Sequence, residues 1–99
     1  MKNTFRLLLK SFGYAFNGLF VLIKEERNAK IHLIAAILIL IAGLFFSISA
    51  IEWLFIVLAI AIVFITEAIN TSIENTIDFI STKQDPKIAK IKDIAAGAV

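Results

Sequence analysis

Residues 31–51 read IHLIAAILILIAGLFFSISAI, and only His32, Ser47 and Ser49 interrupt the apolar run. A helix rises about 1.5 Å per residue, so roughly 20 residues cover the ~30 Å hydrocarbon layer of a bilayer. The stretch therefore predicts a transmembrane helix over residues 31–49. Just beyond it, Ser49 and Glu52 stand at the spacing of a capping box, the N-cap hydroxyl and the carboxylate each satisfying a backbone N–H. A second helix is expected over residues 50–80, apolar from Trp53 to Ile65 and polar-faced after that. Glu52 is thereby explained as a cap, and no chemistry is assigned to it.

On the N-terminal side, Phe5, Leu8, Leu9, Phe12, Phe16, Leu19, Phe20 and Ile23 recur at spacings of three and four. This is one face of a helix, with Arg6, Lys10, Asn17 and Lys24 mostly off it. A basic amphipathic helix over residues 5–24, aromatic on its apolar side, reads as lying in the membrane interface. Lys2, Arg6 and Lys10 also break any signal-peptide core. On the other side, residues 81–84 are polar, and Asp85-Pro86 is a helix start with Asp at N-cap and Pro at N1. The helix expected over residues 86–99 ends in small residues that suit close helix packing in a membrane.

The chain has 99 residues, 60% of them hydrophobic, with no cysteine and a net charge of +2. That length is one domain, and the apolar excess calls for lipid as a second solvent. Lack of cysteine excludes disulfides, thiolate metal sites and cysteine nucleophiles. All ten Lys and Arg residues lie before Ile31 or after Ile80, and none in the turn between the two spans. The positive-inside rule places both the N-terminus and the Lys87–Lys92 region in the cytoplasm. Topology thus accounts for the basic charge, and nucleic acid is not expected as a partner. The fold expected is an all-α membrane protein: an interfacial helix, two transmembrane helices in a hairpin, and the start of a third.

Residues that could carry chemistry gather where the second span turns polar. Glu67, Asn70, Glu74 and Asp78 fall within about 80° of one another around the helix. A solvated face explains Asp78 and Glu74 but explains Glu67 poorly, because Glu67 follows directly on an apolar run. An ionised group at the bilayer centre costs roughly 2.5–3.5 kcal/mol, so such residues are rarely idle. In an antiparallel hairpin Glu26 reaches the same depth, within this chain or a neighbour. Carboxylates so grouped repel unless a cation lies between them, and oxygen ligands select a hard ion such as Mg²⁺. Glu25 reads as surface charge, and His32 as an interfacial residue rather than a metal ligand. Lys87, Lys90 and Lys92 could hold polyphosphate, bind anionic head groups or simply set topology. No Walker loop, dinucleotide fingerprint or zinc-spaced histidine pair occurs.

Three blocks carry a family resemblance: Glu26-Arg27-Asn28-Ala29-Lys30-Ile31-His32; Glu67-Ala68-Ile69-Asn70-Thr71-Ser72-Ile73-Glu74; and Ala89-Lys90-Ile91-Lys92-Asp93-Ile94-Ala95-Ala96-Gly97-Ala98-Val99. In order and spacing they resemble the prokaryotic diacylglycerol kinase and undecaprenol kinase family of small membrane enzymes. The resemblance implies phosphoryl transfer from ATP to a lipid hydroxyl, diacylglycerol or undecaprenol, by a homotrimer in the bacterial cytoplasmic membrane. It implies Glu67 as general base, Asn70 beside it, and Glu26 and Glu74 on the Mg²⁺ that bridges the nucleotide phosphates. It places Lys92, Asp93 and Asp78 on the nucleotide, with Arg6 and Tyr14 of the first helix nearby. The family carries a further transmembrane helix after the Ala-Ala-Gly-Ala-Val block, where this sequence ends. The first block's Asn-x-Lys-Ile-His pattern is similar to the undecaprenol kinase branch. The alternative from another class is a non-catalytic two-span oligomer with a regulatory or cation-binding role.

Overall fold

The structure, a computed structural model, describes residues 2–99 and contains four helices: α1 (Lys2–Glu25), α2 (Arg27–Phe45), α3 (Ala50–Ile80) and α4 (Pro86–Ala98). No strand occurs among the described residues. α2 and α3 form an antiparallel hairpin, and α4 folds back along the C-terminal part of α3. α1 joins them through its C-terminal end, where Leu22 is buried, while Lys2 to Val21 stay exposed.

α2 starts and ends earlier than hydropathy suggested. Its N-cap is Glu26, a single extended residue (φ −97°, ψ 121°) that separates α1 from α2. The helix runs through Arg27, Asn28 and Lys30, which the apolar count did not include. At its other end the Ser47 N–H donates to the Leu44 carbonyl and the Ile48 N–H to the Gly43 carbonyl, both at 3.3 Å. With Ser47 at φ 50°, this is a Schellman stop on a residue other than glycine. Apolar character continues through residues 46–51, but hydropathy reports solvent preference and not where backbone hydrogen bonds end.

Gly43 also sets the packing of the hairpin. A Cβ there would stand 2.6 Å from Cη2 of Trp53 and 3.1 Å from Cδ1 of Ile48. The indole of α3 therefore lies directly on the α2 backbone. Two residues beyond Ser47, the capping box forms as expected. The Glu52 N–H donates to Ser49 Oγ (3.2 Å), and the Ser49 N–H donates to Glu52 Oε1 (3.1 Å). α4 opens with Asp85 accepting from the Lys87 N–H at 2.8 Å.

The distribution of burial is inverted relative to a protein folded in water. α3 buries Glu67, Asn70 and Thr71, while its Leu54, Phe55, Val57, Leu58, Ile62 and Ile65 are exposed. α2 buries only Ala29, Ala36 and Gly43. Three helices, α1, α2 and α3, are long and apolar enough to cross a membrane. A polar interior inside an apolar shell is what hydrocarbon selects, because each buried polar group there must face protein. The fold is that of an all-α membrane protein.

Candidate active site

Glu67 is the most enclosed ionisable group among the described residues, with 2% of its surface exposed. It sits on the α2-facing side of α3, and its Oε2 lies 3.4 Å from Nε2 of His32. His32 is one-third exposed, so the pair links a buried carboxylate to the edge of the hairpin. One turn along α3, Asn70 and Thr71 are buried as well. Asn70 Oδ1 and Thr71 Oγ1 have no hydrogen-bond partner among the described residues. An unmet buried polar atom costs about 1–3 kcal/mol, a cost proteins seldom carry away from a working site. Glu67, Asn70 and Thr71 together form a compact buried polar patch where the apolar run of α3 gives way to its polar-faced part.

The remaining expected residues divide into two groups. Glu74 continues the stripe two turns below Glu67 and is half-buried. Glu26 is half-buried at the α1–α2 break, and makes no side-chain cap to α2. It lines a groove of about 510 Å³ together with Gly18 and Leu22 of α1 and Thr71, Ser72 and Asn75 of α3. Asp78 and Lys92 meet directly, Nζ donating to Oδ1 at 2.6 Å, and this bond ties α4 to α3. Asp93 follows on α4 and is exposed. Arg6 and Tyr14 stand on the exposed part of α1, and neither forms an ion pair with another of the described residues. A single chain does not bring those two to the polar patch.

No group of three or more metal-binding side chains gathers among the described residues. Mg²⁺, however, is usually held by one or two carboxylates, with substrate phosphates and water completing its shell. Neither Glu26 nor Glu74 is engaged by a Lys or Arg among the described residues, so both are available as hard oxygen donors. In kind, each carboxylate suits a magnesium–nucleotide complex, but Glu74 is not among the residues lining the groove at Glu26.

Over residues 13–99 the chain matches the family model of prokaryotic diacylglycerol kinase. The chain belongs to that family. It is 41% identical to an undecaprenol kinase of Bacillus subtilis, an alignment covering 99% of this chain and 80% of that protein. It is 34% identical to a diacylglycerol kinase of Synechocystis, over 93% of this chain and 53% of the relative. A Helicobacter pylori diacylglycerol kinase is 30% identical, over 95% and 73% respectively. No solved structure matches significantly.

Family membership makes this chain a membrane lipid kinase and sets aside the non-catalytic reading. The polar patch of this diacylglycerol-kinase-family chain includes one residue that the sequence reading kept out of the site. His32, which the sequence reads as interfacial rather than as a metal ligand, is the cross-helix partner of Glu67. Hairpin register is the signal that could have found it. Gly43 meets Trp53 near the turn, and His32 lies opposite Glu67 further along the same two helices.

Proposed function

We propose that the protein transfers the γ-phosphoryl group of ATP to the hydroxyl of a membrane lipid, with Glu67 as general base. The single observation that carries this reading is the near-complete burial of Glu67 on a helix whose other buried side chains are Asn70 and Thr71. A carboxylate kept from water at the edge of an apolar span can meet the hydroxyl of a lipid whose chains stay in hydrocarbon. General-base assistance of this kind contributes typically 10²–10⁴-fold.

The other residues supply position and charge. Asn70, buried one turn along α3 from Glu67, lines the place where the lipid hydroxyl would meet the base. Glu26 and Glu74 hold Mg²⁺, which when bound neutralises the nucleotide phosphates and the charge that develops during transfer. Lys92 turns from Asp78 to the phosphates, and Asp93 contacts the nucleotide beside it. Arg6 and Tyr14 lie too exposed on α1 to act within one chain, and they complete the nucleotide site from a neighbouring subunit of a homotrimer. α1 lies in the interface over the junction, and both the N-terminus and the Lys87–Lys92 region face the cytoplasm. The membrane is the bacterial cytoplasmic membrane.

The lipid is either undecaprenol or diacylglycerol. The higher identity to an undecaprenol kinase favours undecaprenol. The test is transfer of labelled phosphate from ATP to each lipid in mixed micelles. Product formation by the wild type and its loss in Glu67→Gln are expected; undiminished transfer by Glu67→Gln would remove the proposed base.

A further inference from the structure

A base buried as deeply as Glu67 has a second task after it has taken a proton: it must pass that proton on. Its carboxylate is 2% exposed and has one polar neighbour across the helix interface, His32 Nε2 at 3.4 Å. Among the described residues it forms no other ion pair, and neither Lys24 nor Glu25 at the end of α1 pairs with it or with His32. α1 and α3 are the elements packed against α2, and Glu67 is the titratable group of α3 that faces the imidazole. Beyond the pair, the groove beside His32 is lined by Ala35, Ala36, Ile39, Ala59, Ile60 and Phe64, none of which carries a proton. His32 itself is one-third exposed. Among the described residues it is the side chain paired with the buried carboxylate, and it also reaches the surface of the hairpin.

We infer that His32 is a positioning residue that acts through Glu67, fixing its carboxylate and receiving the lipid's proton from it. The inference rests on the reading of Glu67 as base. In the transfer the lipid O–H bond breaks and an oxygen–phosphorus bond forms to the γ-phosphorus. The bond from that phosphorus to the bridging oxygen of ATP breaks and ADP leaves. The proton goes to Glu67, then to Nε2 of neutral His32, and from His32 to water. Imidazolium facing carboxylate in a low dielectric is a mutually neutralising pair, so this end state favours the proton's departure from the lipid. A glutamate alone would hold the proton where water does not reach it. The relay requires an imidazole able to take up a proton, so acid conditions weaken it.

The test compares wild type, His32→Gln, His32→Asn and Glu67→Gln in the full-length protein in lipid-containing micelles, reading kcat, KM for ATP and the pH–rate profile. Glutamine and asparagine keep an N–H donor but accept no proton at these pH values. Expected for both His32 variants is a kcat lowered at least about tenfold, a KM for ATP within about twofold, and an acid limb moved to lower pH. Wild-type kcat and pH profile in His32→Gln, with Glu67→Gln inactive, would overturn the relay and leave the base standing. Activity in Glu67→Gln would instead remove the base, and the relay with it. If both His32 variants lost nucleotide binding along with activity, His32 would be a structural residue, and the relay would also fall.

Discussion

Nε2 of His32 lies 3.4 Å from Oε2 of Glu67, a contact that joins the two helices of the hairpin at the deepest ionisable group in the chain. Replacing Glu67 by Gln keeps the shape and removes the base. Lipid phosphorylation is expected to fall by at least about a hundredfold, the scale of general-base assistance. Helix content by circular dichroism should stay unchanged, and thermal stability should hold or rise, since a buried charge is removed.

Glu26 and Glu74 provide the only acidic oxygens proposed for the metal. Chelation by EDTA is expected to stop phosphate transfer reversibly, with Mg²⁺ restoring it. Glu26→Gln and Glu74→Gln should each raise the Mg²⁺ concentration needed for half-maximal rate by about tenfold or more, one lost charge-assisted ligand being worth about 1.5–3 kcal/mol. An unchanged Mg²⁺ dependence in both variants would rule out that assignment.

The Lys92–Asp78 bond is solvent-accessible on the Asp78 side, which is 61% exposed, and such pairs contribute about 0–1 kcal/mol. Asp78→Ala should therefore lower the melting temperature only slightly. Lys92→Ala should act mainly on nucleotide affinity, raising KM for ATP by about tenfold. Equal, small effects of the two substitutions on KM would mean that Lys92 serves only to tie α4 to α3.

Gly43 offers a check on the hairpin itself. Gly43→Ala puts a methyl group into the space of the Trp53 ring, and overpacking of this kind costs about 1–3 kcal/mol. Unfolding in SDS should shift to lower denaturant, and Trp53 fluorescence should report the displaced ring. Gly43→Ala combined with Trp53→Leu should recover part of the loss.

Ser47 holds a left-handed conformation at φ 50°, which costs a residue with a Cβ roughly 1–2 kcal/mol. Ser47→Gly is expected to stabilise the hairpin by about 0.5–1 kcal/mol without altering kinase activity, since the turn precedes α3 and Glu67 lies several helical turns further along it. A destabilised Ser47→Gly protein would show that the serine side chain contributes more than the backbone strain it carries.

Much of the architecture was legible because its signals are local. The Ser49–Glu52 box and the Asp85-Pro86 start each act over a few residues and appear in the folded chain as read, and the apolar run from Ile31 falls largely within α2. The helix ends around α2 were not legible, because Glu26 and Ser47 interrupt the helix by backbone conformation and not by any change in hydropathy.

The amino-acid order alone determined that the chain is helical, that its surface seeks lipid, and that Glu67, Asn70 and Glu74 share one stripe of one helix. Those properties follow from solvent preference and from the fixed angle between successive residues. Which of those side chains would be dry, and what would stand opposite them, depended on how α2 meets α3. The approach of Trp53 to Gly43 sets that register, and the register carries His32 to Glu67, a distance in space that no spacing along the chain encodes.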